Sequence, residues 1–494
     1  MSDPHVVSGP VLAAIATAVL CLVVRRNVRL QRAVSVLGVF TYAGTVGLLA
    51  ARVFPSEVLT YNLGGWPAPA AIVLVADGLS VFMLGIAATL TVPALLFSVR
   101  YVDDFGERLS FHPLFHLMLA GVSGAFLTGD IFNLFVWFEV MLMASYVLVV
   151  FYGGPEHTSA GLRYLVLNLV GSAVMLLAIG GLYATTGTLN MADIAHRVAN
   201  PAAYRAAPAP VTAMLAGVVK KVGVYAIVRL YFTVFAATEF AALDLPWGDG
   251  SALAYLAPVV LAMAALSIGF GGFAAVGQDR IEDLLAYSSI GQVGFIVLPL
   301  SVAAVTEGSV QRLAVVAALV YALNHTLAKG LLFLAAGSIR DATGTTEFAD
   351  LGGIARTQPV LAGAFLVGGL GLVGIPPLSG FFGKLLVFQA AVAAEAWTAL
   401  AVALGGAVLT VAYVSRAWNR GFWGSTSPVV EHATVDQGQV ALVAVLAAGV
   451  VLVGVGFDPV YRAAEHAARA ALDTGAYIDA VLPEGGLDTS GGGH

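Results

Sequence analysis

Apolar runs of roughly twenty residues, the length that carries a helix across a bilayer, recur thirteen times in this chain. They lie near 7–25, 33–52, 72–98, 111–128, 130–152, 162–185, 211–237, 252–276, 284–305, 311–337, 360–394, 397–418 and 438–458. The runs are continuous rather than alternating, which selects helices over a membrane barrel. Only 11% of the residues are charged, against roughly 25% in a soluble domain, so most of the outer surface must face lipid. The expected fold is an all-α polytopic membrane protein. Beyond the last run, 458–482 reads as an interfacial amphipathic helix, followed by a flexible tail whose terminal His494 is solvated.

Several function classes are excluded. A formal net charge of −6 leaves no footprint for nucleic acid. A single cysteine, Cys21 in the first run, rules out an internal disulfide and a CxxC metal site. No Walker A loop, GxGxxG or HExxH occurs, so the chain has no catalytic motif of its own and no expected metal or cofactor. The first run lacks a basic start and is followed by Arg25, Arg26, Arg29 and Arg32, which is not the pattern of a cleaved signal peptide.

Arginine placement gives the orientation. The loops after the first, third and fifth runs carry Arg25 to Arg32, Arg100 with Arg108, and Arg163, which places the N-terminus outside. Later arginines are Arg280, Arg340 with Arg356, and Arg416 with Arg420. With thirteen crossings those loops fall on the opposite side. They return to the first side only with one more crossing between 186 and 210, a stretch too polar and proline-rich to supply it.

Lysine usage points to chemistry. The chain has nineteen arginines but only Lys220, Lys221, Lys329 and Lys384, and every lysine falls inside an apolar run. A lysine at the centre of a membrane helix costs roughly 2.5–3.5 kcal/mol on insertion scales, and unlike arginine it can give up its proton when desolvated. Lys220 also fits a snorkelling role at a helix end. Glu139 lies ten residues into its run, where a carboxylate needs a partner or water. A proton-carrying role and a static ion pair with a neighbouring lysine are the two readings. His325 and Lys329 are four apart and share a helix face with Tyr321 and Asn324 nearby. In GIPPLSGFFGK (374–384), Pro376 and Pro377 remove backbone donors, so the helix should break one turn before Lys384. A proline kink without a transport role is the alternative. Asp77, Asp130, His116 and Arg229 fall near run ends, where solvation accounts for them, and Glu282 with Asp283 suits a helix N-terminus.

These motifs resemble the antiporter-like membrane subunits shared by respiratory complex I, membrane-bound hydrogenases and multisubunit Mrp-type cation/proton antiporters. The most specific pieces are GDIFNLFVWFEV, KVGVYAIVRLY, LLAYSSIGQVGF, NHTLAKGLLFLAAG and GIPPLSGFFGK. GGWPAPAAI (64–72) and the run at 221–229 are most similar to the D-subunit branch of the Mrp antiporters. The resemblance implies two inverted five-helix repeats, each with a half-channel, and no redox cofactor. It implies proton-transfer roles for Glu139, Lys221, His325, Lys329 and Lys384; Lys220, Asn324 and Tyr321, which neighbour them in sequence, are the expected auxiliaries. On this reading residues 1–100 are N-terminal helices, 101–240 the first repeat, 241–420 the second, 421–458 the last helix and 459–494 the interfacial helix and tail.

One departure stands out. Relatives place a lysine-bearing broken helix just before the segment seen here at 208–214, and that helix is absent. Either the protein has lost its first half-channel, or this sequence lacks a stretch of the working protein near 205–208. The second is favoured, because one lost crossing would invert everything after it. The expected function is a proton-translocating subunit of a hetero-oligomeric sodium/proton antiporter in the plasma membrane, its partners being other subunits, lipid, protons and monovalent cations. A pumping subunit of complex I or a hydrogenase, and a structural membrane scaffold, are the rivals.

Overall fold

The computed structural model describes residues 4–54, 58–103, 106–107, 110–150, 155–198, 222–236 and 251–482. The expectations for Lys220, Lys221, the junction near 205–208 and the tail after 482 lie outside them.

Ten of the described helices are long and apolar enough to cross a membrane. In chain order the longer described helices are α1 (Gly9–Val23), α2 (Val28–Val53), α3 (Gly78–Tyr101), α4 (Phe111–Leu127), α5 (Ile131–Val149), α6 (Pro155–Thr186), the short α7 (Met191–Val198), α8 (Val222–Val234), α9 (Ala252–Val276), α10 (Ile281–Ala303), α11 (Gly308–Thr343), α12 (Pro359–Val373), α13 (Ser379–Ala393), α14 (Trp397–Ala417), α15 (Gln437–Val455), α16 (Phe457–Leu472) and α17 (Thr474–Val481). Local chemistry sets several starts. Asn27, Asp130 and Asp436 each accept a hydrogen bond from a backbone N–H three residues on, satisfying a donor that the first helical turn leaves free. Apolar side chains stay exposed along the outer helices, as with Leu177 at 76% and Phe273 at 71%, which is how a lipid-facing surface looks without its lipid. The protein is a multi-pass membrane protein.

Two expected elements differ, and a third breaks as expected. The run at 72–98 begins as a strand: Val73–Ala76 pairs antiparallel with Leu59–Asn62, and α3 starts only at Gly78. A short apolar run reads alike as buried strand or helix start, so periodicity could not separate them. The run at 360–394 has its expected break: two helices, α12 and α13, are parted by Gly374 in the left-handed region (φ 90°) and by the prolines Pro376 and Pro377. The amphipathic stretch after 458 is likewise two helices, because Asp473 stops α16 and its carboxylate accepts from the Ala476 N–H to start α17.

The chain divides into two compact units. The first holds residues 1–88, 102–256 and 466–494, and the second holds 89–101 and 257–465. In the second, α11 is the centre, and its whole membrane-length core is buried. One end of this unit gathers arginines: Arg340 and Arg280 lie 3.2 and 3.6 Å from Glu282, Arg416 and Arg420 lie 2.7 and 3.0 Å from Asp279, and Arg100 lies 3.4 Å from Asp436. Thirteen strictly alternating crossings would have parted Arg100 from the others; instead they share one end. The described apolar helices between Tyr101 and Arg280 are five (α4, α5, α6, α8 and α9).

Candidate proton-transfer site

In the second unit one stripe of α11 faces α10. Lys329 Nζ donates to the Leu285 carbonyl at 2.8 Å and to Ser288 Oγ at 2.5 Å. The Ser288 hydroxyl itself donates back to Leu285, at 3.1 Å, so its oxygen is free to accept the amine. His325 lies one turn before Lys329 and Tyr321 one turn before that; all three are buried. The Tyr321 hydroxyl donates to Gln292 Oε1. The other end of that amide donates to Tyr413 Oη at 2.7 Å and Thr410 Oγ1 at 3.2 Å on α14.

The helix break brings in the second amine. Ser379 Oγ, at the start of α13, donates to Asn324 Oδ1 at 2.8 Å. Lys384 Nζ reaches back across the break to the Val373 carbonyl at 3.2 Å and sits 4.9 Å from the centre of the Phe295 ring. Breaking the helix exposes carbonyls that no helical N–H serves, and a lysine one turn on satisfies one of them. Close packing requires glycine here: a Cβ on Gly380 would overlap the Gly371 carbonyl oxygen, and one on Gly383 would stand 2.9 Å from the Tyr321 ring. Lys329, His325, Tyr321, Asn324 and Lys384 are thus brought into one buried polar cluster in which both amines donate to neutral oxygens. No carboxylate lies within ion-pair distance of Lys384 among the described residues.

In the first unit Glu139 projects from α5 and is half-buried, and its Oε1 is enclosed with no hydrogen-bond partner among the described residues.

A family model, NADH:quinone oxidoreductase/Mrp antiporter, TM, matches residues 128–200 and 200–410. The D subunit of the Na(+)/H(+) antiporter of Alkalihalophilus pseudofirmus is 32% identical over 96% of this chain and 99% of its own length. The N subunit of the NADH-quinone oxidoreductase of Desulforudis audaxviator is 36% identical over 74% of this chain and 76% of its own. The chain belongs to the NADH:quinone oxidoreductase/Mrp antiporter family. Among solved structures, a chain of the Mrp complex from Dietzia sp. DQ12-45-1b superposes with a TM-score of 0.82 at 26% identity, covering 97% of this chain and 99% of that one. The two matched segments of the family model meet at residue 200, inside the stretch where the sequence departs from the family pattern.

Several polar residues of this family member are not where span counting put them. Arg229, expected at an interface, is fully buried: Nη2 lies 2.7 Å from Asp77 Oδ1, Nε donates to Tyr225 Oη at 3.2 Å, and the Tyr477 ring covers the guanidinium at 4.8 Å. Asp77 is buried with it. Burial alone would raise its pKa, but the Arg229 charge and hydrogen bond outweigh burial and hold the carboxyl below the usual range. His116 is fully buried and bonded to Ser35. Residue counts along a run measure depth in one helix; they miss the hairpin and the C-terminal helices that fold over its end. Asp130 is mostly buried too, though it does cap α5, and Glu282 opens α10 as expected. Ser288, Gln292, Thr410 and Tyr413 had no expected role. A serine and a glutamine inside the apolar run LLAYSSIGQVGF were the available signal for the first two. Among the described residues no group of three His, Cys, Asp or Glu is placed to hold a metal.

Proposed function

We propose that this chain is the proton-translocating, D-type subunit of a hetero-oligomeric Na+/H+ antiporter of the plasma membrane, with its N-terminus outside. The single observation that carries the reading is Lys329: a buried amine at the centre of the second unit, hydrogen-bonded to the uncharged Leu285 carbonyl and Ser288 hydroxyl. Both of these acceptors are uncharged and serve the amine with or without its proton. Protons would pass along water through Lys329, His325 and Lys384 here, and through Glu139 with Lys221 and Lys220 in the first repeat. The likeness to the D subunit of a Na(+)/H(+) antiporter over nearly the whole chain, and to a chain of an assembled Mrp complex, supports both the activity and the need for partner subunits. Lys329→Gln should abolish Na+/H+ antiport in everted vesicles while the complex still assembles. Native antiport from that variant would refute the reading.

The likeness to a component of a NADH-quinone oxidoreductase favours one second reading, a pumping subunit of a redox complex. Redox subunits co-purifying with the chain would establish it. We also infer that the working protein carries a further crossing near residue 200, supported by the shared arginine end and the seam in the family match. An intact mass heavier than these 494 residues predict would confirm it.

A further inference from the structure

The second unit's buried amines serve the antiport reading; a second file of buried polar groups, in the first unit, does not enter it. It starts near the arginine-bearing end of α2, where Arg32 Nε donates to both Glu107 carboxylate oxygens at 2.7 and 2.8 Å. Glu107 is fully buried, and its Oε1 also lies 3.3 Å from His112 Nε2. One turn along α4, His116 Nε2 lies 2.9 Å from Ser35 Oγ of α2. Two turns further, the Ser123 hydroxyl has two acceptors within reach, the Leu119 carbonyl at 2.8 Å and Tyr42 Oη at 3.1 Å.

Spacing makes this a file rather than scattered contacts. Residues 112, 116, 119 and 123 fall on one stripe of α4, and 32, 35 and 42 on one stripe of α2. His112, His116, Ser123, Ser35 and Tyr42 are all fully buried. Each imidazole also has a buried Nδ1 with no hydrogen-bond partner among the described residues. A histidine kept only for packing would have both ring nitrogens served or be replaced by an apolar residue, since a buried polar atom left alone costs about 1–3 kcal/mol. Cys21 of α1 lies beside the file, but its thiol donates to the Gln31 carbonyl.

The file ends at a telling depth. From Arg32 to Tyr42 the helix rises about 15 Å, half of the roughly 30 Å hydrocarbon core. α4 and α5 approach closely at two glycines: a Cβ on Gly121 would stand 2.6 Å from the Met141 backbone nitrogen, and one on Gly124 would overlap the Trp137 ring. Those two contacts set Ser123 level with Glu139, which lies between Trp137 and Met141.

We propose that the α2–α4 file is a proton-binding half-channel that opens beside the Arg32–Glu107 pair, whose charges stay fixed, and is relayed by His112 and His116 to the depth of Glu139. It rests on the proton-translocating reading of the chain. Imidazole is suited to the task because it can take up a proton at one nitrogen and release it from the other.

The test is His116→Gln in the assembled complex reconstituted into vesicles, beside Lys329→Gln. The amide keeps a hydrogen bond to Ser35 but does not titrate. Antiport should fall by about a hundredfold, the scale on which a positioned proton-transfer group acts, with assembly intact; a purely structural histidine would instead cost assembly. Native antiport from His116→Gln with Lys329→Gln inactive overturns the file and leaves the wider reading standing. Native antiport from both removes the wider reading as well. Should His116→Gln fail to assemble, the near-isosteric Tyr42→Phe decides: lost antiport supports the relay, and native antiport overturns it.

Discussion

The two units bury charge in opposite ways. In the second, Lys384 stands beside the Val373 carbonyl and the Phe295 ring with no carboxylate in reach among the described residues. In the first, Arg229 is locked to Asp77, with Ser80 and two tyrosines around it. An amine against neutral oxygens can exist with or without its proton. A guanidinium against a carboxylate can exist in one state only, because neither partner can change alone without leaving the other charge stranded in an apolar interior. One arrangement suits turnover and the other suits a joint. The joint ties three elements, since Asp77 ends the hairpin, Arg229 lies on α8 and Tyr477 on α17.

The contrast breaks most visibly at Lys384. Replacing it by arginine keeps the charge and the reach but removes the ability to give up a proton. Antiport by Lys384→Arg should fall by about a hundredfold or more, read as dissipation of an imposed pH gradient on adding sodium, with normal amounts of complex in the membrane. Full activity would mean that the second unit's amine is as static as the first unit's guanidinium.

The reverse experiment belongs to Asp77. Asp77→Asn leaves Arg229 buried without its counter-charge and should destabilise the first unit by roughly 3–5 kcal/mol, measured as thermal denaturation of the purified complex. The folded-state pKa of Asp77 is lowered, so the pair's contribution is complete above the ordinary carboxylate range and is lost as pH falls through the lowered value. The acid side of the native protein's stability profile should therefore flatten in the variant. An unchanged profile would show that Arg229 finds another partner.

How much of this was legible beforehand follows from what each signal measures. Helices such as α5 and α11 are visible because twenty apolar residues in a row have few other uses, and Lys329 stands out because a charge in such a run is costly. The strand at Val73–Ala76 was hidden inside a run, since four apolar residues carry no period of their own. Asp77 and Arg229 are separated by more than one hundred and fifty positions, and no local pattern announces a partner at that distance; each alone reads as an interfacial charge. Gln292 stands in a family motif yet has no role until Tyr321 and Tyr413 are seen to converge on it. Tyr413 and Thr410 carry no signal at all, being ordinary residues of a membrane helix.

The smallest effect sharpens the joint from its far side. Tyr477 covers Arg229 from α17, a helix of eight residues that is too short to hold itself together. Its start depends on Asp473, whose carboxylate accepts the Ala476 N–H at 2.9 Å. Asp473→Ala should cost about 1 kcal/mol, the usual value of an N-cap, and raise hydrogen exchange in 474–481 by about fivefold if opening is local. The Asp77–Arg229 pair does not need the cap to form, so antiport should stay near native. If antiport falls as far as in Lys384→Arg, then α17 does more than cover the joint, and the first unit's guanidinium is less fixed than its carboxylate partner implies.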